Sequence, residues 1–116
     1  VTAPTFEDAR RTLRRFVEER AWDAFHDPKD LALSIAIEAG ELLEVFQWRD
    51  VTAADLAPQD RERLREEVAD VVLYAMLLAD KAGFDLPEAL VEKIARNAAK
   101  YPVEKARGRS DKYDRL

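Results

Sequence analysis

A four-helix, all-α bundle with a polar C-terminal tail, assembled as an oligomer, is the architecture this sequence specifies. Three observations carry that reading. Apolar residues recur at helical rather than alternating spacing. Only three glycines and five prolines interrupt the chain, and several fall where helices should begin or end. One central segment is apolar around most of its circumference, so other helices must cover it.

The first helix should begin at Thr5, whose hydroxyl can cap it with Asp8 three positions on, and end near Trp22. Phe6, Leu13, Phe16 and Val17 form its inward stripe. The second opens at Asp27-Pro28, a capping acceptor followed by a proline whose missing N–H costs nothing in a first turn, and is expected to run to about Trp48. Between Leu31 and Trp48 its only polar side chains are Ser34, Glu38, Glu41, Glu44 and Gln47. A chain this short cannot cover such a helix alone, which predicts at least a dimer with the second helix near the shared core.

A connection through Asp50, Thr52 and Ala57 leads to Pro58, where the third helix starts before stopping at Gly83. The fourth begins with Asp85-Leu86-Pro87-Glu88 and ends before Pro102. We expect a single domain over residues 1–116, with a core from about 5 to 101 and a tail from 102 to 116 carrying Lys105, Arg107, Arg109, Lys112 and Arg115.

Composition excludes several classes of function. With 24 acidic against 19 basic residues the formal charge is -5, so nothing draws the chain to nucleic acid or to an anionic membrane. No apolar run approaches the roughly 20 residues that span a bilayer. Cysteine is absent, which rules out disulfides, thiolate zinc and a thiol nucleophile, and suits a cytoplasmic setting.

The chemistry sits in two acidic pairs. Glu38 and Glu41 lie at i and i+3, and Glu67 and Asp70 repeat that spacing on the next helix, so each pair projects from one helical face. One such pair in isolation is more often just a solvated face. Here, however, Ile37, Val45 and Trp48 are interleaved with the only acidic stripe of the second helix. Four carboxylates meeting inside an apolar bundle would each cost several kcal/mol to desolvate without a counter-charge. A divalent cation supplies one, and all-oxygen ligation favours Mg²⁺, or Mn²⁺ in its place, over zinc. Such an ion could neutralise a polyphosphate and activate water for attack on phosphorus. A di-iron site is disfavoured, since it needs a Glu-x-x-His on each of two helices and the sole histidine is His26. No Walker loop is present.

At helical spacing Trp48 follows Glu41, and Tyr74 and then Lys81 follow Glu67 and Asp70. An aromatic there could stack on a base, although a tryptophan is by default core. Trp22 and His26 cluster between the first two helices, and Lys93, Asn97 and Lys100 share a neighbourhood on the fourth.

The segments Glu19-Arg20-Ala21-Trp22, Phe25-His26-Asp27-Pro28, Glu38-Ala39-Gly40-Glu41-Leu42, Phe46-Gln47-Trp48, Glu66-Glu67-Val68-Ala69-Asp70-Val71, Asp85-Leu86-Pro87, Tyr101-Pro102-Val103 and Arg107-Gly108 occur in an order that resembles the MazG-like all-α NTP pyrophosphatases, most closely their dCTP pyrophosphatase branch. The resemblance implies a hydrolase that converts a nucleoside triphosphate, dCTP or a modified dCTP foremost, to the monophosphate and pyrophosphate in nucleotide-pool house-cleaning. It implies that Glu38, Glu41, Glu67 and Asp70 hold Mg²⁺ and form the catalytic set. Trp22, Trp48 and Tyr74 would surround base and sugar, Asn97 and Tyr101 touch the nucleotide, and Lys81 and Lys93 stand near its phosphates. His26 counts among the substrate-binding residues. The resemblance also implies a homotetramer. This chain departs from the wider pattern at Ile37, where a glutamate often precedes the first ligand, and at Leu13, where some dCTP-preferring relatives have histidine. The competing reading is a non-catalytic helical module that senses nucleotide or directs assembly.

Overall fold

The computed structural model describes residues 2–116 and is all-α, with no strand among them. Four helices of 14 to 25 residues, α1 (Phe6–Glu19), α2 (Pro28–Glu44), α3 (Pro58–Ala82) and α4 (Leu86–Lys100), are followed by a single turn, α5 (Val103–Ala106). The chain divides into two compact units, Val1–Gly83 and Phe84–Leu116.

Local signals place most helix ends. At α1 the Thr5 hydroxyl accepts from the Asp8 amide at 3.1 Å, and the Asp8 carboxylate accepts from the Thr5 amide at 2.9 Å. Asp27 accepts from the Asp30 amide to cap α2, and Asp85 from the Glu88 amide to cap α4. Gly83 closes α3 with φ of 80°, a left-handed conformation that a Cβ would oppose.

The far end of α2 corrects the sequence reading. Regular helix stops at Glu44 instead of reaching Trp48, and residues 45–48 form turns. Trp48 itself takes φ of 62°, which ends the helical path and turns the indole 94% exposed to solvent. It therefore does not continue the Glu41 face. No glycine or proline marks this stop, so helical spacing alone carried the expectation too far.

In the first unit α2 and α3 form the principal helix pair and run antiparallel, since the chain returns through residues 45–57. Leu31 on α2 and Met76 and Ala79 on α3 are buried, together with Val45 and Leu56 at the two ends of the connection. On α1, Val17 is buried, and Arg10 and Arg14 reach Asp80 of α3 at 3.3 and 3.6 Å. Large apolar side chains nevertheless stay exposed on the two central helices: Leu33, Ile37 and Leu43 on α2, and Val68 and Val72 on α3. No helix of the described residues is long and apolar enough to cross a membrane.

In the second unit, the tail continues from α4 through α5 to a 3-10 turn at Tyr113–Arg115. Tyr113 packs edge-on against Tyr101 at 6.1 Å, with the Lys100 ammonium 5.1 Å from its ring.

Candidate metal centre and nucleotide pocket

Pairing α2 with α3 brings one carboxylate oxygen each from Glu38, Glu67 and Asp70 within 4.8 Å of one another. All three side chains are half-buried. Glu41 remains exposed outside this trio, yet it is near enough to act on both Glu38 and Glu67.

Burial pushes the Glu38 carboxyl from an ordinary 4.5 up to about 7, and the Glu41 side chain and the charges of Asp70 and Glu67 add to the rise. Glu67 is raised too, by burial first and then by the charge of Glu41. Glu38 Oε2 and Glu67 Oε2 are buried without a hydrogen-bond partner. Orphaned acceptors that repel their neighbours are a local deficit of positive charge, and an all-oxygen donor set of this kind fits a hard divalent ion.

Beside Asp70 opens a cavity of about 240 Å³, lined by Trp22, His26, Tyr74, Leu13, Phe16, Val17, Leu73 and Leu77. It is mostly apolar with an acidic edge, a lining that suits a planar ring attached to a charged group. Trp22 gets there through the end of α1. The Trp22 amide donates to the Val17 carbonyl and the Ala21 amide to the Glu18 carbonyl, while Ala21 adopts φ of 52°. This is a Schellman closure with alanine where glycine is usual. It folds the indole back on Phe16, edge-on at a centroid distance of 5.5 Å. Without a glycine, no local signal announces that turn.

Lys81 stands apart from that lining. Lys81 Nζ is 3.0 Å from Asp23 Oδ2 and lines a second cavity of about 200 Å³ with Arg14, Asp23, His26 and Asp80, not the one that touches Asp70. The two cavities share Val17, His26 and Leu77. Lys93 and Asn97, exposed on α4, and half-buried Tyr101 belong to the second unit. Spacing put Leu13 and Phe16 on an inward stripe but did not mark them, or Leu73 and Leu77, as pocket wall, because core positions and pocket walls carry the same residue types.

Comparison with known proteins gives this geometry its context. A family model described as MazG-like matches residues 33–116. The chain is 41% identical to dCTP pyrophosphatase 1 of Mus musculus and 40% identical to dCTP pyrophosphatase 1 of Homo sapiens, in each case over 97% of this chain and 68% of the relative. The crystal structure of a pyrophosphatase from Archaeoglobus fulgidus superposes with a TM-score of 0.76 at 36% identity, covering 88% of this chain and 98% of that one. The acids, the pocket and these likenesses agree: the chain belongs to the MazG-like family, as a hydrolase like the pyrophosphatases it resembles.

Proposed function

We propose that this protein is an Mg²⁺-dependent nucleoside triphosphate pyrophosphatase whose foremost substrate is dCTP or a base-modified dCTP. The observation that carries this reading is the convergence of Glu38, Glu67 and Asp70 across two helices, with two orphaned oxygens, at the edge of an aromatic cavity. The dCTP pyrophosphatase relatives point the choice of nucleotide the same way.

In this reading Glu38, Glu41, Glu67 and Asp70 would hold the ion, with Mn²⁺ able to replace Mg²⁺. Held there, such an ion would supply charge neutralisation for the polyphosphate and make water more acidic for attack. Trp22 and Tyr74 flank the base, His26 stands beside them, and Asp70 joins pocket to acids. Water adds to the α-phosphorus, the bond from that phosphorus to the bridging oxygen breaks, and pyrophosphate leaves. The water's proton passes to a carboxylate of the cluster. Trp48, Lys81, Lys93, Asn97 and Tyr101 remain assigned to the substrate through resemblance, with Trp48 held outward and Lys81 held by Asp23.

The exposed face formed by Leu33, Ile37 and Leu43 supports assembly of identical chains, at least a dimer and by family likeness a tetramer. In this reading the enzyme works on the cytoplasmic nucleotide pool. Incubation with a panel of canonical and modified triphosphates tests the activity. Equimolar monophosphate and pyrophosphate, lost on chelation and restored by Mg²⁺, is the expected result. Inorganic phosphate as the primary product contradicts it, and nucleotide binding without any product assigns the protein to the sensing or assembly class.

A further inference from the structure

The two ligand-bearing helices are joined by a 13-residue stretch, 45–57, with turns at 45–48 and one 3-10 turn, Ala53–Asp55. Apolar packing between α2 and α3 is non-directional and by itself permits one helix to slide or roll against the other. A contact of fixed geometry ties that stretch to the start of α3. Arg49 Nη1 donates to Asp60 Oδ2 at 2.7 Å, and the Asp60 side chain is only 12% exposed. The Arg61 guanidinium adds a bond to the Ala53 carbonyl at 2.8 Å.

Asp60 lies in the first turn of α3, two turns before Glu67 and so roughly 10 Å along the axis from it. Arg49 lies about as far beyond Glu41 in the chain, and the antiparallel order that sets Glu38 by Asp70 also sets Arg49 by Asp60. Arg49 stands five residues beyond the end of α2, so the ion pair fastens the connecting stretch to the first turn of α3 and holds the end of α2 through that stretch. A partly buried ion pair adds little net stability, because desolvation offsets the attraction, and its best-attested use is to fix register. Mg²⁺ requires near-ideal octahedral ligation, so a shift in register is felt directly by ligands divided between two helices.

We propose that Arg49 and Asp60 are positioning residues that fasten the connection between the two helices to the first turn of α3, hold α2 in register through it and thereby set the affinity of the carboxylate cluster for its divalent ion. This rests on the metal-dependent reading above. Neither residue touches substrate or metal in this account.

The test titrates Mn²⁺ alone, without nucleotide, into the full chain by calorimetry, with thermal unfolding followed in parallel. Arg49→Gln and Asp60→Asn should each weaken Mn²⁺ binding about fivefold, the scale typical of residues that act through others. The double variant should lose no more than either single one, and Arg49→Lys, which keeps the charge, should restore binding to within about twofold of wild type. Should Arg49→Gln fail to fold, Asp60→Asn carries the same comparison. A lower unfolding temperature with unchanged Mn²⁺ affinity would overturn the proposal and leave the pair a merely structural contact. Absence of Mn²⁺ binding in wild type removes the metal reading itself. Wild-type binding abolished by Glu41→Gln but untouched by the Arg49 and Asp60 variants removes only this proposal.

Discussion

Replacing Glu38 with glutamine should make the protein more stable and less active at once. Without metal, the Glu38 carboxyl titrates near 7 in the folded chain against an ordinary 4.5. Below pH 4.5 it is protonated in both folded and unfolded chains, so the folded state carries no penalty. Between 4.5 and 7 the unfolded chain ionises while the folded one resists, and stability falls; above about 7 the loss is complete. That displacement corresponds to at most about 3 kcal/mol, and contact of the cluster with water reduces it to about 1 to 2 kcal/mol. In chelator at pH 8 the Glu38→Gln variant should then melt about 4 to 8 °C above wild type, with the gap closing as pH approaches 4.5. Saturating Mg²⁺ should reverse the order, because binding at a hundred times the dissociation constant stabilises wild type by about 2.7 kcal/mol and the variant lacks a ligand. Melting followed by circular dichroism from pH 5 to 8, with and without Mg²⁺, measures both effects. A variant no more stable than wild type in chelator at pH 8 would show that the carboxylates do not strain one another, and the argument for an ion among them would lose its physical basis.

Asp70→Asn should lower kcat at least about a hundredfold with unchanged far-ultraviolet dichroism, since it removes a charged ligand and no core volume; retained turnover would exclude Asp70 from the centre. Trp22→Ala should raise KM about 5- to 150-fold, the equivalent of one lost stacking contact of about 1–3 kcal/mol, with kcat changed less. An unchanged KM would move the base elsewhere. Ile37→Glu puts a charge on a side chain that is 61% exposed in the single chain, and sedimentation should show it shifting an assembled wild type toward monomer; a wild type that sediments as a monomer would refute the shared face.

The starts of the helices were legible because caps are local: Thr5 with Asp8, Asp27 before Pro28, and Asp85 before Pro87 each announce a start within a few residues. Gly83 announced an end in the same way. The stop of α2 was not legible, because the turn through Trp48 adopts a conformation that side-chain spacing does not encode. At the site, the i, i+3 spacing established that Glu38 shares a face with Glu41 and Glu67 with Asp70. That the two faces meet is a property of the antiparallel return, visible only in three dimensions. The partner of Lys81 was hidden for the same reason, since Asp23 lies far from it in the chain and comes close only when α1 and α3 are packed together.

The left-handed turn that displays Trp48 also gives the molecule an optical gauge. The chain has only two tryptophans, and the other, Trp22, is less than half exposed. Water dipoles relaxing around an excited indole lower the energy of its emission, so Trp48 should dominate the red side of the fluorescence spectrum. Whatever settles on that ring, a nucleobase or a neighbouring chain, expels those dipoles and moves the emission toward the blue. Covering of this one side chain can therefore be followed by light alone, with no label attached.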